Sequence, residues 1–283
     1  MIRRRFSPYW SALVSIVAVV SAIWTLFPIY WMLSTSLKEN LEVFKVPPDW
    51  WPVHPTIASY INLNSNSDIA PIPTFFKNSV ITSFGTVVFA VFLAVFAGYA
   101  LSRLRFRFRR HTLIAILMTQ MFPLVVLLIP MYLLYVRAHL LNSYVGLILA
   151  YTSFTLPFGI WMIKGFVDSV PVEIEEAAMV DGCNRLQTMR LVVFPLIIPG
   201  VVATAVFAFL DAWNNLLFPL TLVNDITMKT LPPGMILAFG GEFKHDWSGM
   251  MAASTIVTIP VVIAFVLIQR YLVEGLTGGA VKG

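Results

Sequence analysis

Long apolar runs, separated by shorter polar segments, dominate this chain from one end to the other. A helix needs about 20 predominantly apolar residues to cross the hydrocarbon core of a membrane. The pattern therefore predicts six transmembrane helices, at about residues 11–33, 76–101, 113–135, 145–163, 196–222 and 250–271. The first is framed by Tyr9-Trp10 and Tyr30-Trp31, and aromatic residues of this kind concentrate at membrane interfaces. Because six is an even number, both termini are expected on one side of the membrane.

Composition supports lipid as the solvent. Hydrophobic residues make up 58% of the 283 residues, charged residues only 12%, and the mean hydropathy is +0.82. A soluble domain has about a quarter of its residues charged, and a disordered chain has still more charge and less hydrophobicity. We therefore expect an all-α membrane protein that forms a single domain over residues 1–283.

Basic residues orient the predicted helices. With a cytoplasmic N-terminus, 13 of the 19 Lys and Arg residues lie inside, including Arg3–Arg5, the run 103–110 and Lys282. Because cytoplasmic loops carry the excess of Lys and Arg, both termini are predicted to be cytoplasmic. The run 103–110 then lies in a short loop between spans, where it meets anionic lipid, and it is not presented by a soluble domain as a nucleic-acid surface would be. We expect membrane lipid as a partner and no nucleic acid.

The cytoplasmic segment 166–195 has the pattern of two short helices outside the bilayer. Pro171 suits the first position of the first helix, and Gly182 suits a left-handed residue that ends it. Asn184 can cap a second helix over 185–192, and Pro195 turns the chain back toward lipid. The face expected to admit another backbone consists of Ile174, Ala177, Ala178 and Asp181.

The spacing within this segment resembles a known motif. Glu176-Ala177-Ala178, then Gly182 after three residues, then Val192-Val-Phe-Pro195 after nine more, is similar to the EAA loop of binding-protein-dependent ABC importer permeases. The usual motif ends Ile-x-Leu-Pro, so Val192 and Phe194 are mild apolar departures.

Two further segments resemble carbohydrate permeases of the maltose type. The segment 211–220 is similar to their fifth span, although an acidic residue is more usual where Asn215 stands. The tail 269–283 is similar to that of the smaller of their two permeases. The resemblance covers the whole chain and implies a type I ABC importer permease fold with six spans, in the inner membrane of a prokaryote.

The resemblance also implies a mechanism and partners. This chain would pair with a second, homologous permease subunit, above a dimer of ATP-binding subunits and below an extracytoplasmic solute-binding protein that delivers a sugar. The coupling loop 166–195 would dock into the ATPase through Glu176, Ala177, Ala178, Gly182 and Pro195. ATP and Mg would bind the ATPase, and no cofactor is expected on this chain, which lacks a P-loop pattern.

Polar residues inside the predicted spans are the candidates for a translocation path. Asp211 is the only carboxylate within a span, and such a group rarely faces lipid. Thr204, Asp211 and Asn215 follow one another at spacings of seven and four, with Asn214 alongside. They either line the path or join packed helices by hydrogen bonds. Gln120, near Pro123, is a weaker candidate.

Other chemistry finds little support in the residues. The histidines lack metal-ligand spacing and Cys183 stands alone, so neither a metal site nor a catalytic residue is predicted. A secondary transporter working without an ATPase is the alternative, but it favours inverted repeats that are not evident here. A disaccharide, a longer oligosaccharide, a polyol and a glycerol-phosphate-type ester remain open as the solute.

Two external loops, 34–75 and 223–247, are rich in Pro or Gly and are expected to be irregular. The stretch 232–243 either contacts the binding protein or covers the ends of the spans.

Overall fold

The structure is a computed structural model that describes residues 8–65, 71–240 and 246–280. Arg3–Arg5, Phe243 and Lys282, which carried sequence predictions, lie outside these residues. The described residues contain α-helices and short helical turns and no strand. The α-helices, in chain order, are α1 Pro8–Ser36, α2 Ala58–Ser65, α3 Ile72–Arg103, α4 Arg109–Met118, α5 Leu124–Arg137, α6 Tyr144–Ser169, α7 Val172–Val180, α8 Arg185–Thr188, α9 Phe194–Leu196, α10 Ile198–Trp213, α11 Leu217–Leu222, α12 Leu231–Phe239 and α13 Trp247–Ala280.

Four helices are long and apolar enough to cross a membrane unbroken: Ala12–Ser36 within α1, then α3, α6, and Trp247–Gln269 within α13. Two further candidates are bent pairs. The segments 109–121 and 124–137 meet at 97°, and the segments 185–196 and 198–213 meet at 78°. Counting each bent pair as one crossing, the described residues supply up to six spans, in agreement with the all-α fold that the sequence predicts.

Helices α3 and α6 form the centre of the bundle and run parallel. Near their first turns, the Tyr144 hydroxyl donates to Asn78 Oδ1 at 2.7 Å. Near their last turns, the Arg103 guanidinium donates to the carbonyls of Val167 and Val170, at 2.9 and 2.6 Å. The N-terminal ends of α3 and α6 therefore lie together, and so do their C-terminal ends. We call the two ends of the bundle the Asn78 end and the Arg103 end.

Because α3 and α6 are parallel, the bent pair α4–α5 has to carry the chain from one end of the bundle to the other. Because α3 finishes at the Arg103 end and α6 starts at the Asn78 end, the chain between them has to travel the length of the bundle once. The sequence placed a single span at 113–135, whereas the structure breaks this stretch into two helices. The break lies at Phe122-Pro123, where backbone of extended conformation separates the helices because proline lacks an N–H and disfavours helix in the residue before it.

Helix α10 runs in the opposite direction, from Gly200, which packs on Phe166, to Trp213, whose ring meets that of Phe76 edge to face near the Asn78 end. The predicted span 196–222 is interrupted after Trp213 and resumes as α11. At the Asn78 end α1 also finishes, with Ser36 hydrogen-bonded to Tyr60, and α13 starts. The first residue of α1 and the last of α13 thus lie away from that end.

The two segments predicted to be external and irregular differ in how far the structure agrees. Residues 45–57 are irregular, as expected, and they fold back on α1: the Trp50 carbonyl accepts from Tyr30 and Ser34, both at 2.8 Å. The expectation of an irregular loop was wrong for Ala58–Ser65, which is helix α2, and for Leu231–Phe239, which is helix α12. Prolines at the first turn of a helix lose no hydrogen bond, and the apolar residues that follow bury this helix against Phe75.

Candidate functional site

Helix α7, which lies at the Arg103 end, is bounded by residues whose backbone explains its length. Pro171 is the residue before the helix, one position earlier than the sequence predicts. Glu173 and Glu175 stand in the first turn, where negative charge suits the helix dipole. Gly182 follows the helix with φ of 95°, in the left-handed region that glycine adopts without strain. A side chain would meet nothing within 4 Å at Gly182, so conformation rather than space requires glycine there.

The second short helix begins as predicted and then changes its winding. The Asn184 side chain accepts from the Gln187 N–H at 2.9 Å, and the Gln187 side chain accepts from the Asn184 N–H at 2.8 Å, which forms a capping box. After α8 the residues Met189–Val193 form a turn of π-helix instead of the expected α-helix, and α9, which contains Pro195, follows.

Arg103 joins α7 to the two central helices. Its Nε donates to Glu175 Oε1 at 2.5 Å, and the Tyr99 hydroxyl donates to Glu175 Oε2 at 3.0 Å. Glu175 is only 3% exposed, so this ion pair is largely removed from water. The guanidinium also holds the last carbonyls of α6, as described above. One side chain of α3 therefore fixes the end of α6 and the start of α7 together.

A second contact at the same end continues this network. The Ser102 hydroxyl donates to Asp168 Oδ1 at 2.5 Å, and Asp168 also pairs with Lys164 one helical turn earlier. These bonds tie the last turn of α3 to the last turn of α6.

The inward position of Glu175 determines which face of α7 is free. The residues at 173, 176, 177 and 180 follow helical spacing, and all four are exposed; Val180 is exposed by 87%. The sequence predicts a face built on Ile174, Ala177, Ala178 and Asp181. In the structure the two alanines divide: Ala177 lies on the free face and Ala178 is partly buried toward the bundle. Ile174 and Asp181 are exposed as well, so three of the four predicted residues are accessible. We keep the name free face for Glu173, Glu176, Ala177 and Val180.

Arg103, Tyr99 and Glu175 were not singled out from the sequence. Arg103 was counted as a topology signal, and Glu175 was one of three glutamates in a cluster. The one available signal is the position of Arg103 at the end of a predicted span. From the last turn of a helix, an arginine side chain can reach a neighbouring segment that leaves the membrane beside it. Nothing in the sequence says which glutamate it meets.

The polar candidates of the fifth span lie where that span is broken. Asp211, Asn214 and Asn215 line a cleft of about 510 Å³ together with the apolar residues Phe207, Leu210, Leu216 and Leu217. The Asn214 amide donates to the Leu210 carbonyl at 2.8 Å, and Asn215 Oδ1 accepts from the Phe218 N–H at 3.1 Å. The polar groups stand at the edge of the interruption between α10 and α11.

Thr204 and Gln120 are placed elsewhere. Thr204 is buried, and its hydroxyl donates to the Gly200 carbonyl at 2.8 Å and lies 3.3 Å from the Met162 sulfur. Gln120 is exposed at the break between α4 and α5 and donates to the Phe154 carbonyl at 2.6 Å. Neither residue lines the cleft beside Asp211. Among the residues that the structure describes, no group of His, Cys, Asp and Glu is arranged to hold a metal.

Known proteins resemble this chain over most or all of its length. Residues 87–278 match the sequence model of the family described as "Binding-protein-dependent transport system inner membrane component". The chain is 38% identical to the diacetylchitobiose uptake system permease protein DasC of Streptomyces coelicolor over 283 residues, which is 100% of each chain. It is 38% identical to the sulfoquinovosyl glycerol transport system permease protein SmoH of Agrobacterium fabrum over 91% of this chain and 89% of that one. It is 33% identical to the trehalose/maltose transport system permease protein MalG of Thermococcus litoralis, over 94% and 95%.

A solved structure has the same fold. A chain from the crystal structure of a bacterial ABC transporter involved in the import of the acidic polysaccharide alginate superposes with a TM-score of 0.78. The match covers 96% of this chain and 99% of that chain at 21% sequence identity.

Proposed function

The chain belongs to the family of binding-protein-dependent transport system inner membrane components, and on this premise we propose that it is the smaller of two permeases in an ATP-driven carbohydrate importer. The family consists of transport components and not of enzymes, and its members work in the inner membrane with a partner permease, an ATPase and a binding protein. A secondary transporter, the alternative reading, is therefore set aside.

The carbohydrate follows from what the relatives carry. Their names specify diacetylchitobiose, sulfoquinovosyl glycerol, and trehalose or maltose, which are all glycosides. We propose that this chain, as one transmembrane domain over residues 1–283, helps a di- or oligosaccharide across the cytoplasmic membrane by alternating access.

The free face of α7 is the observation that carries the coupling mechanism. Val180 and Ala177 leave apolar surface uncovered outside the bundle, and Glu176 lies beside them. We propose that this face enters a cleft of the ATPase dimer, with Ala177 allowing close approach and Glu176 offering a charge-assisted hydrogen bond. Gly182 and Pro195 set the bends on either side of the docked segment, and the partly buried Ala178 lets α7 pack closely on the bundle.

Movement of the ATPase is then transmitted through Arg103. Because Arg103 joins α7 to the ends of α3 and α6, a displacement of α7 on ATP binding moves both parallel spans in the same direction. We propose that this common displacement rocks the bundle between its inward-facing and outward-facing states.

Substitution of Ala177 tests the docking. Ala177→Asp places a charge at the proposed contact and should abolish uptake and release the ATPase, while membrane insertion persists. The matched control is Ala138→Asp, at an exposed alanine just after α5, and this variant should retain both uptake and binding of the ATPase. Uptake into vesicles and co-purification of the ATPase measure the two effects. Normal uptake by Ala177→Asp would contradict the docking.

The cleft beside Asp211 is the proposed contact with the solute. Its amide and carboxylate groups lie among apolar side chains, a combination that suits the hydroxyls and the apolar ring faces of a sugar. The competing role for these residues is hydrogen bonding between packed helices, for which the buried, hydrogen-bonded Thr204 serves as the control.

Uptake kinetics separate the two roles. At matched expression, Asn214→Ala and Asp211→Asn should raise the KM for the solute severalfold, whereas Thr204→Val should change only the amount of assembled importer. If all three variants lose assembly with an unchanged KM, the polar groups join helices and do not line the path.

A further inference from the structure

A second cleft, at the Arg103 end, has a chemistry that the transport mechanism does not use. It has a volume of about 430 Å³, and its walls carry four basic residues and two apolar ones: Arg107, Arg109, Arg110, Lys164, Phe106 and Leu113. It lies between the start of α4 and the last third of α6. We call it the basic cleft.

The positive charge of the basic cleft is largely uncompensated. Lys164 pairs with Asp168. Over the described parts of the chain, no carboxylate forms an ion pair with Arg107, Arg109 or Arg110. The guanidinium of Arg109 interacts with Asp168 beyond ion-pair distance, so the excess positive charge lies mainly with Arg107 and Arg110, and it attracts an anion to the cleft.

The start of α4 adds to this demand for an anion. The helix begins at Arg109 with no acidic residue in its first turn and no side-chain cap from Phe108. The Arg109 N–H donates to the Phe106 carbonyl at 3.3 Å, so the helix start contributes chiefly its positive dipole end to the region of the guanidinium groups. A phosphate group satisfies both features, since arginine and a helix N-terminus are each common phosphate ligands.

The surface next to the basic cleft favours an amphiphile over a free phosphate. Arg110, Ile114 and Met118 follow one another at four-residue spacing on one face of α4, and all three are exposed. This face begins with a charge and continues with apolar side chains, as the head and the acyl chains of a phospholipid do. Phe106 and Leu113 add apolar walls to the cleft itself.

We propose that the basic cleft binds the phosphate headgroup of an anionic phospholipid, whose acyl chains lie along the exposed face of α4. The site requires only that the protein sits in a membrane, and it would stand even if the solute were not a carbohydrate. It would hold one lipid in a fixed place at the junction of the basic loop, α4 and α6.

Native mass spectrometry of the assembled importer, titrated with phosphatidylglycerol or phosphatidylcholine, tests the proposal. We expect phosphatidylglycerol to bind about a hundredfold more tightly than phosphatidylcholine, since each of the three arginines near an anionic headgroup contributes about a factor of five. The double variant Arg107→Gln/Arg110→Gln should weaken phosphatidylglycerol binding about thirtyfold and leave phosphatidylcholine binding unchanged.

The control removes the same charge elsewhere. Lys77→Gln/Arg137→Gln takes two exposed basic residues from the Asn78 end and should bind phosphatidylglycerol as the unsubstituted importer does. A photoactivatable phosphatidylglycerol should cross-link to residues 104–118 in the unsubstituted protein and in the control. If the double variant fails to assemble, Arg107→Gln alone serves the same comparison, with about a fivefold loss expected.

Three outcomes would overturn the proposal. Equal affinity in the double variant and the control would show that the basic cleft does not select the lipid. Displacement of the lipid by an excess of inorganic phosphate would assign the cleft to a free anion. Absence of the cross-link from the assembled importer would indicate that another subunit covers the cleft.

Discussion

The Asn78 end and the Arg103 end close the same two parallel helices with different chemistry. At the Asn78 end the bonds are neutral: Asn78 donates to the carbonyls of Thr227 and Lys229, both at 2.8 Å, and accepts from Tyr144. At the Arg103 end an ion pair joins Arg103 to Glu175, and the helix it holds leaves apolar residues uncovered.

At the Asn78 end the segment that is held packs into the core, whereas at the Arg103 end the helix that is held keeps one face exposed. The chain that Asn78 holds continues into α12, which is packed against Phe75 in the core. The chain that Arg103 holds is α7, whose outer face is free. We therefore expect damage at the Asn78 end to reduce stability without altering coupling, and loss of Arg103 to reduce coupling as well as stability. Three substitutions, at Arg103, Asn78 and Gly182, are expected to have progressively smaller effects.

Loss of Arg103 should have the largest effect. Arg103→Gln leaves Glu175 buried without its partner, and breaking a buried ion pair in this way costs about 3–5 kcal/mol. Amide exchange in residues 172–180 should accelerate strongly, and uptake should fall at least tenfold while ATP hydrolysis continues, because α7 is no longer held to α3 and α6. The control Arg105→Gln removes an exposed guanidinium two residues away and should leave both measurements unchanged. Unaltered exchange in α7 would mean that Arg103 does not hold it.

Loss of Asn78 should be smaller and of another kind. Asn78→Ala leaves two carbonyls and a tyrosine hydroxyl without their partner, at a cost of about 2–3 kcal/mol. The thermal unfolding midpoint should drop and amide exchange in residues 226–231 should accelerate, while the ratio of solute imported to ATP hydrolysed stays constant. The exposed Asn224, changed to alanine, is the control. A change in that ratio would break the distinction between the two ends.

The smallest effect concerns Gly182. Gly182→Ala forces a side chain into the left-handed region at a cost of about 1 kcal/mol. Gly165 gives a matched control, because a side chain there also meets nothing within 4 Å but lies within a regular helix. Gly165→Ala should be neutral or slightly stabilising. Unfolding midpoints of the two variants measure the difference, and equal midpoints would show that the conformation of Gly182 is unimportant.

Local sequence signals predicted the parts of this fold that depend on local physics. Apolar run length located the long helices, the side chain of Asn184 predicted a helix start, and Gly182 predicted a helix end, because each acts on its own neighbours. The double proline at Pro232-Pro233 misled for a related reason: proline breaks a helix interior but suits its first turn, and only the burial of the following residues decides between them.

Contacts between distant residues could not be predicted in this way. Arg103 and Glu175 are 72 positions apart, and their meeting depends on α3 and α6 being parallel and ending together. The different exposure of Ala177 and Ala178 could not be predicted either, because the contact of Glu175 with Arg103 sets the rotation of α7 about its axis. The cleft beside Asp211 depends on the end of α10 at Trp213. The apolar run in the sequence continues past this residue, so it does not indicate that the helix ends there.

The parallel course of α3 and α6 also has an electrical consequence. Each helix carries the equivalent of about half a negative charge at its C-terminus, and in an antiparallel pair this is offset by the positive N-terminus beside it. In α3 and α6 the two negative ends lie together, so their partial charges add to about one elementary charge. The guanidinium of Arg103, which donates to the carbonyls of Val167 and Val170, lies where these partial charges meet. A parallel pair of spans thus favours a cation at the end where both finish.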